Sequence, residues 1–511
     1  MTTGQLLPVF VALPLIVSAV AALNPKKALN DALGLIVPAI NFAGGAWLFA
    51  HTAAHGTLSH VIGLYQGGVG ISFVADQFSA VMLMATMLVA LTANWFAIVA
   101  GETSARYYTA LTLVLITGVS GAVLTADLFN FFVMIEVMLL PSYGLIAMTG
   151  TRQRLASARM FVVLNLAAST LLVMGVGYLY AVTGAVNLAA LAGVAAGGGP
   201  ATVAAGIVVI AIAAKAGVFP VHTWLPRSYP STSAAVMGLF SGLHTKVAVY
   251  MLFRLWVVLF DMDPRWNGLI VAVMVVSMVL GGFAGLAEAS IRRVLAYQMV
   301  NGMPFILVML AFTDAQPRHA LAAGLLYALH HMVTVAALVL NAGAVEETYG
   351  TGTLSRLSGL ARREPWTAAV FAAGAFSIVG LPPFSGTFGK VAVVFAAASP
   401  GGWRSWVVLA AIILASFGAL LSMMRVWKEV FWGRPMQQYP AGLRVAPALL
   451  APSVALMALS LGMFLGAGLV WGAATSAVDS LLDVDTYTQA VLGDAPVGVP
   501  DASALLEGQH Q

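Results

Sequence analysis

Fourteen stretches of about twenty apolar residues, separated by short polar turns, leave this chain little choice of fold. They fall near 5–23, 31–51, 74–99, 107–125, 127–148, 160–181, 201–219, 233–259, 268–287, 294–312, 319–342, 366–397, 406–427 and 447–472. A helix needs about 20 residues to cross a hydrocarbon core of ~30 Å, and in lipid every backbone polar group must be satisfied internally. Period-two alternation is nowhere sustained, which argues against a β-barrel. Composition agrees: the chain is 60% hydrophobic and 8% charged, where soluble chains carry about 25% charged residues. The sequence therefore predicts an all-α polytopic membrane protein of about fourteen transmembrane helices. Residues 5–23 lack the basic n-region and cleavage site of a signal peptide and read as the first span. Cysteine is absent, which excludes disulfides and thiolate metal sites. The tail from about 480 onward is polar and reads as a short extramembrane segment.

Orientation follows from the basic residues. The loops after odd-numbered spans carry sixteen Lys and Arg, and those after even-numbered spans carry three, Arg265, Arg318 and Arg404. The positive-inside rule then places both termini on the extracytoplasmic side. Lys215, Lys246, Arg254 and Lys390 remain, and all four lie within spans.

A charge at mid-bilayer costs roughly 2.5–3.5 kcal/mol on insertion scales. Four cations and one carboxylate, Glu136, thus oppose insertion unless they are paired or hydrated, and such groups mark proton or ion paths. Glu136 sits in FFVMIEVMLLPSY, too central to snorkel, with Pro141 straining the helix nearby. Lys215 precedes Gly217, Pro220 and Pro226, so its span, the seventh, should break. Broken helices near the midplane expose backbone to ions and water. His222, in the same segment, is either an interfacial anchor or an accessory group for proton uptake. Lys246 is central in the eighth span. His244, two residues away, faces a different side and is a further accessory candidate. Arg254 reads as a packing or lipid-contact residue near the outer interface.

Lys390 follows FSIVGLPPFSGTFGK, whose prolines and glycines predict a second interrupted span, the twelfth. The two breaks lie five spans apart. Because five is odd, two five-helix units in tandem would have opposite topology, the inverted-repeat arrangement. His330 and His331 fall midway along the eleventh span on different faces, and imidazole suits proton relay near neutral pH. Phosphate-loop, zinc-helix and dinucleotide motifs are missing, so neither a cofactor nor enzymatic chemistry is expected. The spacing of the basic loops is that of topology signals and implies no nucleic-acid partner.

The stretches FFVMIEVMLLPSYGLIA, KAGVFPVHTWLP, HTKVAVYMLFRL, RRVLAYQMV and VGLPPFSGTFGK, in that order over roughly residues 70–435, resemble the antiporter-like subunits shared by Mrp-type multisubunit Na⁺/H⁺ antiporters and respiratory complex I. GVGISFVADQFSA, PPFSGTFGK and a length near 500 make the D-type Mrp subunits the most similar branch. The resemblance implies spans 1–3 over residues 1–105, repeats of spans 4–8 (106–260) and 9–13 (265–430), and a last span with a polar tail (440–511). It implies proton translocation along a midplane chain of Glu136, Lys215, Lys246, His330, His331 and Lys390, within a multisubunit Na⁺/H⁺ antiporter of the plasma membrane. The alternative is a redox-driven proton-pumping subunit of complex I or a membrane hydrogenase. One departure stands out: many relatives carry a lysine shortly after the eleventh-span histidine, where this chain has Thr334 and Val335. The link from Lys246 to Lys390 would then rest on the two histidines and water.

Overall fold

The computed structural model describes residues 3–493 apart from 64, 66, 149 and 435. Its helices, in chain order, are α1 (Val9–Leu23), α2 (Lys27–His55), α3 (Gln77–Val99), α4 (Tyr108–Leu124), α5 (Leu128–Ala147), α6 (Arg152–Thr183), α7 (Pro200–Ala216), α8 (Trp224–Ser228), α9 (Ala234–Val258), α10 (Asn267–Ala284), α11 (Ile291–Leu307), α12 (Pro317–Tyr349), α13 (Leu360–Arg363), α14 (Pro365–Val379), α15 (Ser385–Ala398), α16 (Gly402–Val426), α17 (Pro447–Leu465), α18 (Ala467–Leu482) and α19 (Val484–Leu492). Eleven of these are long and apolar enough to cross a membrane. With α4, α7 and the interrupted pair α14–α15 they correspond to the fourteen expected segments.

The starts and stops follow local chemistry. Asp76 opens α3 with a reciprocal capping box to Ser79, and Asp127, Thr151 and Ser233 cap α5, α6 and α9 through their side-chain oxygens. Both expected interruptions are present. α7 ends at Gly217, whose φ of 76° is left-handed, and the chain crosses Pro220 before the short α8. α14 ends at Gly380 with φ 96°, and α15 resumes beyond Pro382 and Pro383. Lys215 occupies the last turn before its break, whereas Lys390 lies in the half-helix after its own.

Every residue of α9 is buried, and α11 and α12 are buried almost all round. Helices that are apolar on every side belong at the centre of a bundle. α12 packs against α9, α11, α15, α17 and α18, while α1, α2, α10 and α16 show their outer faces to the surroundings.

Two regions differ from the sequence expectation. A two-stranded antiparallel hairpin, β1 (Leu58–Val61) with β2 (Ser72–Ala75), follows α2, with Leu58 opposite Ala75. The segment beyond 466 does not simply leave the bundle. Gly466 separates α17 from α18, which packs on α3 and α12. Arg318 holds Asp479 of α18 in a two-pronged ion pair at 2.6 and 2.8 Å, and Ser59 of β1 donates to the Ala490 carbonyl of α19. The residues of the tail after 493 lie outside those described.

Candidate functional site

Three islands of buried polar groups cross the bundle, each centred on a lysine that the sequence singles out. The first joins α5, α6 and α7. Glu136 is half-buried and accepts a hydrogen bond from the Ser169 hydroxyl. Lys215, 5% exposed, donates to the same Ser169 oxygen at 2.8 Å and to the Asn165 carbonyl at 3.4 Å. Ser169 has one proton to give and lone pairs to receive with, so it bridges carboxylate and ammonium in a consistent direction. Glu136 and Lys215 are thus joined through Ser169 as a three-membered chain. Glu136 and Lys215 are not among the direct ion pairs within 4.0 Å found for the described residues.

His244 adjoins this island, held by Ser142 at 2.8 Å on Nε2 and by the Tyr229 hydroxyl at 3.1 Å on Nδ1. Ser142 also donates to the Met138 carbonyl at 2.6 Å. A serine that spends its proton on a carbonyl must accept from Nε2–H, so in the neutral ring Nδ1 accepts from the Tyr229 hydroxyl and one tautomer is selected. Phe240 and Phe161 pack against its faces. His222 is not brought to this site: it is half-buried in the loop between α7 and α8, beside Phe219, and its Nδ1 has no partner among the described residues.

The second island is sparse. Lys246 is fully buried, and its contacts are Thr245 Oγ1 at 3.3 Å and Met303 Sδ at 3.8 Å. No carboxylate is paired with it among the described residues. His331 lies on α12 nearby, with Nε2 3.3 Å from the Gln298 carbonyl.

The third island gathers around the α14–α15 break. His330 Nδ1 is 2.9 Å from Ser385 Oγ and 3.2 Å from Thr334 Oγ1, and Ser377 and Ser460 complete a hydroxyl cluster drawn from α12, α14, α15 and α17. Lys390 donates to the Val379 carbonyl at 2.9 Å, one of the acceptors that the end of α14 leaves free, and to Ser416 at 2.7 Å. Its ammonium lies 5.0 Å from the Phe305 ring centre. His330 and His331 are 1% and 3% exposed, so both rings are interior although they leave α12 on different faces.

Arg254 overturns its sequence reading. It is neither a lipid contact nor simple packing: Nη2 lies 2.6 Å from Asp76 Oδ2, both groups are buried, and Phe78, Tyr250 and Tyr487 surround the guanidinium. The partner stands 178 residues away, beyond reach of any local pattern. Sequence reasoning also passed over Ser142, Ser169, Tyr229, Ser385 and Ser416. Hydroxyls are common in apolar helices, where they bond the carbonyl one turn back, so only the contacts single these out.

The family described as "NADH:quinone oxidoreductase/Mrp antiporter, TM" matches residues 125–421 of the chain. The chain is 34% identical over 438 residues to the D-type subunit of the Na(+)/H(+) antiporter of Alkalihalophilus pseudofirmus, covering 84% of this chain and 87% of that one. It is 32% identical over 441 residues to the Bacillus subtilis protein of the same name, covering 84% and 87%. A chain of the Mrp complex from a Dietzia species superposes with a TM-score of 0.91 at 38% identity, over 96% of this chain and all of that chain. A chain of respiratory complex I from Thermus thermophilus shares the fold, with a TM-score of 0.76 at 22% identity over 93% and 99%.

Proposed function

The chain belongs to the membrane family shared by NADH:quinone oxidoreductase and Mrp antiporters, and on that premise we propose that its three lysine islands form one proton path. It is a multi-pass subunit of a multisubunit Na⁺/H⁺ antiporter, a transporter component that works with other subunits. The two five-span units, 106–260 and 265–430, each contribute one broken helix to the path. The excess of basic residues in the odd loops supports a plasma-membrane topology with both termini extracytoplasmic.

The Glu136–Ser169–Lys215 chain carries the reading, because it ties the lysine's proton to a carboxylate through one movable hydroxyl. With the chain closed, Glu136 compensates the buried ammonium. When it opens, the ammonium loses that compensation in a site it can scarcely share with water, and the proton leaves. Lys246 receives it, gives one to His331 and His330, and Lys390 takes it on beside the α14 end. Among the described residues Lys246 faces no carboxylate, so a charge there is costly and brief. His244, fixed in one tautomer, orients the first island. Exchange with Na⁺ balances the proton movement across the complex.

The test is Glu136→Gln in the assembled complex, read as Na⁺-driven proton movement in everted vesicles. Exchange is expected to disappear while the subunits still copurify. An assembled variant exchanging at the wild-type rate would refute the path.

A further inference from the structure

The end of the bundle that the basic loops assign to the cytoplasm carries a second set of charges, away from the lysine islands. Glu102, in the turn between α3 and α4, faces Arg154 of α6, Arg292 of α11 and Glu347 of α12, with the Ser233 hydroxyl at the start of α9 beside it. Tyr108 of α4 faces it as well. α3 brings no charge to this turn, and on α2, which packs against it, Lys27 and Asp31 are paired with each other at 2.6 Å. Arg106, just beyond the turn, lies over the Tyr107 ring. Glu346 completes the cluster, held by Arg292 Nε at 2.7 Å.

The charges in this cluster do not balance. Three carboxylates, Glu102, Glu346 and Glu347, stand against two guanidiniums, Arg154 and Arg292. Glu102 is not among the direct ion pairs within 4.0 Å found for the described residues, and its Oε1 is buried with no partner among them. Such a carboxyl keeps its proton more tightly than a solvated one. Burial above all, with Glu347 adding to it, raises Glu102 to about 7. One proton on Glu102 leaves two charges of each sign.

The same groups clasp three central helices. Arg292 Nη1 donates to the Thr232 carbonyl at 2.6 Å, just before α9, while Nε and Nη2 hold Glu346 on α12. Ser233 caps α9 by accepting from the Val236 N–H at 3.3 Å, which leaves its own proton free for Glu102. The starts of α9 and α11 are thus tied to the end of α12, and α9 carries Lys246 while α12 carries His330 and His331. An open polar cleft of about 500 Å³, lined in part by Arg292, Arg293, Glu346 and Glu347, brings the surroundings up to the clasp.

We propose that Glu102 is a regulatory proton site on the cytoplasmic face: its proton keeps the clasp balanced and exchange low, and losing that proton to an alkaline cytoplasm loosens α9 and α11 against α12 and raises exchange. Ionised Glu102 adds a third negative charge. That charge repels Glu347 and draws Arg292 away from the bonds that hold the three helices together. The proton passes to water and takes no part in transport. The inference rests on the antiport proposed above and is independent of which buried groups carry the transported proton.

Everted vesicles turn this face outward, so Na⁺-driven exchange by the complete complex can be followed against external pH at a fixed pH gradient. Glu102→Gln copies the protonated form. It is expected to match the wild type at about pH 6 and to fall behind by at least about fivefold at about pH 8.5, with copurification of the subunits unchanged. Glu102→Asp, which keeps a titrating group, should restore the rise. Glu347→Gln should move the rise to lower pH and Arg154→Gln to higher pH, because one removes a like charge and the other an opposite one. A constant ratio of Glu102→Gln to wild type across the range, or shifts of the same sign in the two neighbouring variants, would overturn the inference. Should Glu102→Gln fail to assemble, the signs of those two shifts decide. Glu136→Gln keeps the levels of argument apart: exchange retained there defeats the lysine path and leaves the regulatory site standing, whereas a flat ratio in Glu102→Gln defeats only the regulatory site.

Discussion

Replacing Ser169 by alanine removes one oxygen and tests how the first island works. With a single hydroxyl between them, the Glu136 carboxylate and the Lys215 ammonium stand roughly 5 Å apart, two hydrogen-bond lengths. At an effective dielectric of about 20 their attraction is ~3 kcal/mol, and alanine leaves that term nearly unchanged. What alanine deletes is both bonds through the hydroxyl. Lys215 keeps only the 3.4 Å contact to the Asn165 carbonyl. A hydrogen bond to a charged group contributes about 1.5–3 kcal/mol. The two bonds share one oxygen and Glu136 is half-buried, so a combined loss of about 2–4 kcal/mol is reasonable. That corresponds to about 30- to 1,000-fold in the balance between closed and open chain. If each cycle passes through the closed state, exchange falls by at least about tenfold. The assay is Na⁺-induced collapse of a preset pH gradient in everted vesicles, with subunit copurification as the control for assembly. Ser169→Thr, which retains the hydroxyl, should keep most of the activity. An assembled Ser169→Ala complex exchanging at the wild-type rate would show that the bridge is incidental to transport.

Two further predictions concern the ends of the bundle. Asp76→Asn leaves the Arg254 guanidinium buried without its counter-charge, and breaking one side of a buried pair costs about 3–5 kcal/mol. The purified complex should melt several degrees lower, and Asp76→Asn combined with Arg254→Met should recover part of the loss; an unchanged melt in the single variant would mean the pair is not structural. Glu102, in the turn after α3, is pushed up from the usual carboxylate range to about 7, chiefly by burial, with Glu347 adding to the rise and Ser233, Arg154 and Arg292 opposing it. The folded state therefore binds this proton more tightly than the unfolded one, so Glu102's contribution to stability is full below about pH 4.5 and declines as pH rises through about 7. Melting temperature measured against pH should fall over that window in the wild type and less steeply in Glu102→Gln; parallel curves would count against this assignment.

The positions of the charges were legible because charge is expensive in lipid. Glu136, Lys215, Lys246 and Lys390 each stood out against an apolar background, and each lies inside the bundle. The breaks were legible for a similar reason: Gly217, Pro220, Gly380, Pro382 and Pro383 violate what a continuous helix tolerates. Arg254 shows where that reasoning stops. Its cost was visible, but its compensation by Asp76 depends on α3 and α9 lying side by side. Its position near a span end therefore suggested lipid or packing, when the solution was an ion pair. The fate of residues 467–492 was likewise invisible, since α18 and α19 are held by Gln77, Arg318 and Ser59 from distant parts of the chain.

The apolar segments that span the bundle, the two places where they break, and the ionisable groups lying within them could all be read from the residues alone. Those properties follow from the cost of moving each residue from water to lipid, a quantity local to the residue. The partners emerge only from the packing of the helices: Ser169 between Glu136 and Lys215, Ser142 and Tyr229 on His244, Ser416 on Lys390, and the Gln298 carbonyl on His331. Hydroxyls and amides cost little in a helix and occur throughout this chain, so their presence carries no signal. Directional hydrogen bonds a few ångströms long give them a role, and those distances are set by how the helices pack.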